Sequence, residues 1–352
     1  MRNSKDLIVI NGRFLSQRIT GIQRFAYEIC CALQQTGVKL IILSPADIRE
    51  EYDLSSLEVE IIGGKGSHFW EQVTLPRYMK NHYDGQLLLS LSGLSPLGYN
   101  HNIMTIHDVS YLLRPRSYSW AYCLYYQLMT PLIAKRAKKI LTVSQFSKQE
   151  LITKLGIATE KIGVVYNAVR SVGLKPRDMK EKYLLAVGSL VPRKNIKRLL
   201  EAYCGMDHPD FDLYIVGGMH AIYADAELSA YADRKGVRFL GYVSGEELTH
   251  LYRNATAYIN PSLYEGFGIP LVEAMTQECA LVVSDIPAFR EVCSDAALYF
   301  NPLDAADMRE KMNCIMHDEP MRKRLIAAGT EQASRFSWEQ SAQEVKRIIN
   351  EL

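Results

Sequence analysis

The fold is decided by the stretch Tyr258-Ile-Asn-Pro-Ser-Leu-Tyr-Glu-Gly-Phe-Gly-Ile-Pro-Leu-Val-Glu-Ala-Met275. Its first residues continue an apolar strand pattern over residues 257–260, and its last residues follow a helical pattern. Pro270 marks the first turn of that helix, where the missing proline amide would have no helical partner. A buried strand that runs through a glycine-containing loop into a helix is typical of parallel α/β sheets.

The loop of this unit has the features of a phosphate-binding site. Its two glycines allow the backbone to approach a ligand closely, and amides at a helix N-terminus attract an anion without a metal ion. A carboxylate in the first turns of the helix can accept hydrogen bonds from both hydroxyls of a ribose. Either glutamate alone is typical of an ordinary strand–helix turn, but two glutamates around this loop favour a ligand site. The candidates are Glu265, Gly266, Phe267, Gly268, Ile269 and Glu273.

Strand and helix patterns alternate along most of the chain. Short apolar runs without strict alternation predict strands that are buried on both faces. These strands are predicted at 7–10, 40–43, 57–62, 87–91, 102–106, 140–143, 182–187, 211–216, 237–240, 257–260, 280–283 and 297–300. We therefore predict two doubly wound, Rossmann-like α/β domains, residues 1–172 and 173–352, facing each other across a cleft. A linker is predicted at 170–180, and the last helix, about 338–352, is expected to pack back on the first domain.

Further candidates lie in loops that follow predicted strands, where ligands of open α/β sheets bind. Basic side chains after strand 182–187 can neutralise a leaving diphosphate. The histidine at the end of strand 102–106 is either a satisfied core residue or a contact to a sugar. The remaining candidates are loop positions, mostly glycines, that allow a nucleotide to come close. This set comprises Gly21, His107, Arg193, Lys194, Gly217, Gly218 and Val243.

Composition and charge narrow the class of protein. The 352 residues are 48% hydrophobic and 23% charged, which excludes a disordered or fibrous chain. Residues 1–172 carry 20 Lys and Arg against 13 Asp and Glu, so this half is the better candidate for an anionic partner. Seven scattered cysteines and no early apolar run beyond 7–10 predict a cytoplasmic protein without a secretory signal. The uncharged stretch 117–134 predicts a buried or interfacial helix in preference to a membrane span.

Several motifs resemble those of one enzyme family. The paired glutamates resemble an E-x7-E motif, and Gly188-Ser-Leu-Val-Pro-Arg-Lys-Asn195 resembles a donor-binding loop. Ile106-His107-Asp108 and Thr20-Gly21-Ile22 resemble further conserved loops, as do the stretches 70–76, 143–147 and 336–339. Together they resemble the retaining nucleotide-sugar glycosyltransferases of family 4, which have the GT-B fold. The likeness is greatest to bacterial mannosyl- and rhamnosyltransferases of O-antigen or exopolysaccharide synthesis.

The resemblance implies transfer of a hexose from a nucleotide sugar to a hydroxyl of a growing, lipid-linked bacterial surface glycan. It implies that His107 and Glu265 are catalytic, orienting the sugar and stabilising oxocarbenium charge, while Gly21 lets a loop close onto the diphosphate. The backbone around Val243 would hold the base. Ser189 stands where many relatives have arginine, so the phosphate clamp would rest on Arg193 and Lys194. GDP-mannose is the first expected donor, with dTDP-rhamnose and UDP-sugars as alternatives, and no metal or other cofactor is expected.

Other functions and partners follow from the same reasoning. A GT-B-shaped sugar-nucleotide epimerase is an alternative that the donor loop and the paired glutamates speak against. A nicotinamide dehydrogenase would need GxGxxG after a strand, and neither Gly12 nor Gly188 begins that motif. The one DxD, at 210–212, lies at the start of the predicted strand 211–216, away from its carboxyl end. No nucleic-acid reader motif is present. Aromatic and basic residues in 65–80 and 117–139 predict either loose contact with an anionic membrane or packing inside the first domain.

Overall fold

The computed structural model describes residues 7–170, 173–177, 182–206, 210–218, 226–231 and 233–352. The chain forms two compact units, Met1–Ala168 with Ser337–Leu352, and Val169–Phe336. The chain passes from one unit to the other after Ala168, whereas the sequence predicts a boundary after residue 172. Part of the predicted linker, at 171–172 and 178–180, lies outside the described residues.

Thirteen strands and thirteen α-helices are described in these ranges. The strands are β1 (Leu7–Asn11), β2 (Lys39–Ser44), β3 (Val59–Ile61), β4 (Leu87–Ser90), β5 (Asn102–Thr105), β6 (Lys139–Thr142), β7 (Ile162–Val164), β8 (Tyr183–Val187), β9 (Asp212–Val216), β10 (Val237–Gly241), β11 (Ala257–Asn260), β12 (Leu281–Ser284) and β13 (Ala297–Phe300). The helices are α1 (Gly21–Gln35), α2 (Leu75–His82), α3 (Ser110–Leu113), α4 (Trp120–Arg136), α5 (Gln145–Leu155), α6 (Ile196–Cys204), α7 (Ala226–Ser229), α8 (Gly245–Asn254), α9 (Ile269–Thr276), α10 (Pro287–Cys293), α11 (Ala305–His317), α12 (Glu319–Ala333) and α13 (Trp338–Asn350).

Each unit contains one parallel sheet. The first has the order β3-β2-β1-β4-β5-β6-β7, and the second has the order β10-β9-β8-β11-β12-β13. The strand pairs are parallel, as in the register of Ile8 with Leu40 and of Leu185 with Tyr214. The two doubly wound parallel sheets that the sequence predicts are therefore confirmed. Strand β7 was not predicted, because Gly163 interrupts its short apolar run.

Both sheets change direction of winding at a central strand. In the first unit this switch lies between β1 and β4, and in the second it lies between β8 and β11. The central strands are buried along their length, so apolar side chains cover both faces, with a core that includes Val9, Leu88, Leu184 and Ile259. Loops after the carboxyl ends of strands at such a switch form the usual ligand crevice of this fold class.

The last helix, α13, belongs to the first unit. Ser341 in this helix donates a hydrogen bond to the carbonyl of Tyr166 at 2.7 Å, and Lys346 donates to the carbonyl of Thr36 at 3.0 Å. Strand β7 contributes Gly163, where an added Cβ would lie 2.4 Å from Cδ1 of Ile348. Ile348 is 2% exposed, and its burial stabilises the unit by about 2 kcal/mol.

Among the helices within the described ranges, none has the length and apolarity needed to cross a membrane.

Candidate active site

Glu265 is the centre of a charged cluster at the carboxyl end of β11. Its side chain is 11% exposed, and Oε2 accepts a hydrogen bond from Nη1 of Arg193 at 3.1 Å. Oε1 forms a short ion pair with Nζ of Lys194. The two cations come from the short turn Pro192–Lys194 that follows β8, 71 and 72 residues earlier in the chain. The structure therefore brings together three of the predicted site residues at the switch point of the second sheet.

The turn after β8 is held against the loop after β11 by backbone contacts. The amide of Leu263 donates to the carbonyl of Arg193 at 2.8 Å. Asn195 has a left-handed φ of 56° and donates through Nδ2 to the carbonyls of Pro261 at 3.0 Å and Pro302 at 2.8 Å. Asparagine tolerates this conformation better than most residues. These bonds fix where the two basic side chains leave the backbone.

Glu265 is ionised in this setting. Burial alone would raise the pKa of its carboxyl, but the nearby charges of Lys194 and Arg193 and their hydrogen bonds outweigh burial and hold the pKa below its ordinary value. The two cations are themselves mostly covered, with 13% and 19% of their side chains exposed. The cluster carries one net positive charge, which leaves it able to attract an anionic ligand.

A buried polar chain holds Glu265 from the side of the sheet. Oγ of Ser262 lies 2.8 Å from Oε1 of Glu265 and 2.7 Å from Oδ1 of Asn260. Asn260 donates through Nδ2 to the hydroxyl of Tyr258 at 3.1 Å, and the Tyr258 hydroxyl donates to the carbonyl of Val187 at 3.4 Å. Ser262, Asn260 and Tyr258 are all buried. These hydrogen-bonded side chains link the glutamate to the ends of both β11 and β8, so the carboxylate has a defined orientation.

Glu273 lies one helical segment further along, in α9. Its Oε2 accepts a hydrogen bond from the hydroxyl of Tyr252 at 3.1 Å. Burial and the Glu273 charge raise the pKa of Tyr252 well above its ordinary value, so the phenol stays protonated and donates. The Tyr252 ring packs edge-on against Tyr258, with centroids 5.4 Å apart. Tyr258 therefore connects the residues that hold Glu273 with those that hold Glu265, and both sets lie in the same buried layer.

The loop between the two glutamates turns sharply before α9. Gly268 has φ 106°, a conformation that side chains rarely adopt, and an added Cβ would lie 2.8 Å from Cδ1 of Leu271. Gly266 and Phe267 are buried, and Phe267 packs edge-on against Phe336 at 5.4 Å between centroids. Ile269 is the first residue of the helix, and Pro270 follows in its first turn. The sequence prediction of a glycine turn into a proline-started helix is confirmed.

Three glycines line the ends of neighbouring strands in the second sheet. The amide of Gly188 donates to the carbonyl of Val216, and the amide of Gly217 donates to the carbonyl of Gly241, each at 2.9 Å. An added Cβ on Gly217 would lie only 2.0 Å from the carbonyl oxygen of Gly188. Gly217 is therefore required by the packing of one backbone against another, and Gly188 in turn lies beside Lys194.

Gly218 and Val243 lie at the edge of this region. An added Cβ on Gly218 would lie 2.9 Å from the hydroxyl of Tyr242, whose side chain is 67% exposed. Val243 is half-buried and precedes Ser244, the residue that caps α8. These positions lie at the end of β10, beside Gly217.

In the first unit, His107 follows β5 and is fixed by two neighbours. Its Nε2 lies 3.0 Å from the carbonyl of Leu91, which can only accept, so Nε2 carries the hydrogen. Burial lowers the pKa of His107 despite this bond and the charge of Asp108, so the ring is neutral near pH 7 and Nδ1 is an acceptor. The ring packs edge-on against Phe25 at 5.1 Å, and Phe25 packs against Trp338 at 6.1 Å.

Gly21, the other candidate in this unit, is the exposed first residue of α1. Its neighbour Thr20 pairs with Gln23 through a short side-chain hydrogen bond. In the ranges that the structure covers, no group of three or more His, Cys, Asp or Glu side chains is placed to hold a metal ion.

Comparison with known proteins identifies the family. Residues 19–171 match the family described as Glycosyltransferase Family 4, and residues 174–332 match the one described as Glycosyl transferases group 1. The chain is 31% identical over 317 residues to the O-antigen chain mannosyltransferase RfbU of Salmonella typhimurium, covering 84% of this chain and 87% of that protein. The chain belongs to the family 4 glycosyltransferases.

Further relatives agree with the assignment. The transferase is 33% identical over 255 residues to O-antigen chain mannosyltransferase B of Escherichia coli, covering 67% of each protein. Its fold matches the solved structure of HepE from Anabaena in complex with UDP and glucose, with a TM-score of 0.77 and 16% identity over 98% of this chain and 99% of that one. The GT-B fold predicted from the sequence is confirmed.

Sequence reasoning missed the residues that support the two glutamates and the histidine. Ser262 and Tyr252 contact the glutamates, Asn260 contacts Ser262, and Phe25 contacts His107. Each looks like an ordinary core or cap residue in the sequence. The polar run Asn-Pro-Ser directly after a buried strand was the only signal that could have indicated Ser262 and Asn260.

Proposed function

We propose that the transferase moves mannose from GDP-mannose, with retention of configuration and without a metal ion, to a hydroxyl of a growing, lipid-linked bacterial surface glycan. The observation that carries the proposal is the pairing of Glu265 with Arg193 and Lys194 beside the glycine turn into α9. Mannose is supported by the relatives RfbU and mannosyltransferase B, both named as O-antigen chain mannosyltransferases. A dTDP-rhamnose or UDP-sugar donor is the alternative; HepE, a fold neighbour, was solved with UDP.

In this proposal the second unit binds the donor. The diphosphate lies against Arg193, Lys194 and the positive end of α9, which neutralise the charge that develops on the leaving group. The ribose hydroxyls donate to Glu273, one of whose oxygens already accepts from Tyr252. Gly217 and Gly218 leave room for the nucleotide, and the backbone around Val243 contacts the base. These are the roles that the family resemblance implies for each position.

Chemically, we propose a front-face displacement. The bond from the anomeric carbon to the diphosphate breaks while the acceptor oxygen bonds to the same face of that carbon, and the acceptor proton passes to the departing phosphate oxygen. Glu265 stabilises the positive charge on the sugar, and Nδ1 of the neutral His107 ring accepts a hydrogen bond from a sugar hydroxyl. In this scheme no enzyme nucleophile is used, so a covalent sugar trapped on Glu265 would contradict it.

The first experiment measures donor binding directly. The purified protein is melted with GDP, UDP, dTDP or NAD in the absence of metal, since a ligand that binds only the folded state raises its melting temperature. We expect one nucleoside diphosphate, GDP, to stabilise the protein, and Glu273→Ala to abolish the shift. A shift in melting temperature with UDP or dTDP alone would mean that the donor carries a sugar other than mannose. A shift with NAD alone would overturn the proposal.

A transfer assay tests the reaction. We expect radiolabelled mannose to pass from GDP-mannose to a polyprenyl-linked glycan, with undiminished rate in EDTA and an α-anomeric product by NMR. A rate that disappears in EDTA and returns with Mn²⁺ would refute metal independence. Release of an altered nucleotide sugar without acceptor would favour the epimerase instead.

We also propose that the enzyme acts at the cytoplasmic face of the membrane in loose contact with anionic lipid.

A further inference from the structure

A second buried polar cluster lies at the carboxyl ends of β1 and β4 in the first unit. Asn11, the last residue of β1, donates through Nδ2 to Oε1 of Glu71 at 3.0 Å and to Oγ of Ser90 at 3.2 Å. Oε2 of Glu71 accepts a hydrogen bond from Nη1 of Arg13 at 3.1 Å. These two strand ends flank the switch point of the first sheet, which is where ligands of open α/β sheets bind. None of the residues that the proposed reaction uses belongs to this cluster.

Glu71 is unusually deeply buried for a glutamate. Its side chain is 2% exposed, and glutamate is almost never fully buried unless a partner holds it. It lies in one turn of π-helix, Trp70–Thr74, that runs directly into α2. Such turns are rare and frequently occur at functional sites. A buried ion pair can often be replaced by apolar side chains without loss of stability, so packing alone does not account for the pair of Glu71 and Arg13.

The side of the cluster that reaches the surface is aromatic. The His68 side chain is 40% exposed, and its Nδ1 lies 3.6 Å from Oε2 of Glu71. The centroid of the His68 ring lies 4.4 Å from that of Tyr125 and 6.0 Å from that of Tyr126. His68 therefore contacts both the buried carboxylate and two tyrosine rings of α4.

Two hydrogen-bonding atoms of this surface have no partner among the residues that the structure describes. They are Nδ1 of His68, which is too far from Glu71 for a hydrogen bond, and the hydroxyl of Tyr125, and both atoms are buried. Burial and the charge of Glu71 raise the pKa of Tyr125 to about 12, so its phenol stays protonated and can donate. A buried polar group without a partner costs free energy, which a ligand that supplies the partner would regain.

The charges of the cluster indicate the class of ligand. Arg13 and Glu71 have opposite signs and cancel, whereas the cluster around Glu265 has two cations against one carboxylate. An anionic ligand gains no net attraction from a neutral pair and is repelled by the nearer carboxylate. Aromatic rings with polar edges instead suit a molecule that has both C–H faces and hydroxyl groups. Neutral sugars have this chemistry.

We propose that this surface binds a neutral sugar residue of the acceptor, with His68 and Tyr125 contacting its hydroxyls. Glu71, which is held by Arg13 and Asn11, is the positioning residue that sets the place of the His68 ring. The identity of the ligand as the acceptor rests on the proposed transferase function, in which the donor occupies the second unit and the reaction needs a second substrate.

The test measures sugar binding by the intact protein directly. Methyl glycosides of mannose, galactose, N-acetylglucosamine and rhamnose are compared with methyl glucuronide and methyl galacturonide by saturation-transfer difference NMR. Each sugar is titrated without nucleotide and again with saturating GDP. We expect at least one neutral glycoside to bind, and to bind more tightly than either uronide.

Variants of the two contact residues locate the surface. His68→Ala should weaken binding of the neutral glycoside by about tenfold. His82→Ala is the matched control, since it removes another histidine of the first unit that stacks on a tyrosine, and it should bind the glycoside as the parent does. Tyr125→Phe removes a hydroxyl that has no partner, so its melting temperature should not fall, while its affinity for the glycoside should drop by about threefold to tenfold. A purely structural side chain would not separate stability from affinity in this way.

Glu71→Gln tests the positioning role. The amide keeps the size of the side chain and removes its charge, so the Kd of the glycoside should rise by about tenfold while the Kd of GDP is unchanged. Glu60→Gln is the control, because Glu60 is another glutamate of the first unit that accepts hydrogen bonds from two tyrosines, and it should change neither Kd. Equal losses of GDP and glycoside affinity in Glu71→Gln would show that Glu71 only maintains the fold.

Three results would overturn the proposal. They are failure of every neutral glycoside to bind in both conditions, tighter binding of a uronide, and equal glycoside affinity in the parent, His68→Ala and Tyr125→Phe. The donor assignment is tested separately by melting the parent protein with GDP. A missing shift in melting temperature together with normal glycoside binding would count against the donor assignment alone.

Discussion

Glu265 and Glu273 should respond in opposite ways when each is changed to glutamine. In the proposed donor site, Glu273 holds the ribose, so Glu273→Gln should weaken GDP binding. Glu265 instead competes with the diphosphate for Arg193 and Lys194, so Glu265→Gln should strengthen GDP binding while transfer of the sugar is lost. The two substitutions have the same chemistry and lie in the same loop–helix segment, so each is the control for the other.

The magnitude follows from the geometry of the cluster. Nη1 of Arg193 lies 3.1 Å from Oε2 of Glu265. At an effective dielectric constant of about 20, a pair at that distance attracts by about 5 kcal/mol before desolvation. If the diphosphate regains about a quarter of one such pair, its binding improves by about 1.4 kcal/mol, or about tenfold in Kd. For Glu273→Gln, weakening a charged hydrogen bond to the ribose should raise Kd by about tenfold or more.

Isothermal titration calorimetry with GDP is the appropriate assay, because it reports Kd separately from stability. That separation is needed since Glu265→Gln leaves two mostly covered cations without their carboxylate and should lower the melting temperature of the ligand-free protein. Transfer from GDP-mannose should fall by about 10²-fold or more in Glu265→Gln. Circular dichroism at the titration temperature checks that both variants are folded.

Weaker GDP binding by Glu265→Gln would refute the reasoning. It would mean that Glu265 positions the two cations for the phosphates and does not compete for them, or that it contacts the nucleotide itself. Unchanged GDP affinity in both variants would remove the diphosphate from this cluster altogether.

Other perturbations test separate contacts. Gly217→Ala should lower the melting temperature of the second unit by about 6–12 °C, because overpacking against a backbone carbonyl costs about 3 kcal/mol. Gly218→Ala is the control, since its added methyl group meets only the movable end of the Tyr242 side chain. It should change the melting temperature by less than about 3 °C in the same calorimetric scan. Tyr252→Phe should raise the KM for the donor several-fold with little change in kcat, and an unchanged KM in steady-state kinetics would show that this phenol does not position Glu273. Because burial lowers the pKa of His107, the unfolded chain takes up its proton first; stability should fall as the pH drops below about 6.5, and denaturant titrations at pH 7.5 and 5.5 should show a smaller fall in His107→Gln.

Much of the second unit could be predicted from the sequence, because its secondary-structure signals are local. The strand, glycine loop and proline-started helix of 257–276 are consecutive, so residue type and spacing alone predict them. The glutamates were singled out for the same reason, as was the basic turn at 192–194. What the sequence could not predict is that Arg193 and Lys194 converge on Glu265, because that contact joins residues 71 and 72 positions apart.

The supporting residues show the same division. Nothing in the local pattern distinguishes Tyr252 or Asn260 from core residues, since their partners come from other elements of the sheet. The face of α4 illustrates the converse. Residues 117–134 carry no charge on any side of the helix, so the sequence left burial and lipid contact equally open. Only the packed tertiary structure shows which side chains are outside.

The sequence by itself determined the class of fold and indicated the candidate site residues, because periodicity, glycine and proline placement and the spacing of charged residues act over a few residues. The tertiary structure decided the ionisation of Glu265, the tautomer of His107 and the exposure of Leu124 and Leu128. Each of these depends on burial and on atoms brought close by folding, and electrostatic and hydrophobic free energies are set by those distances and not by order along the chain.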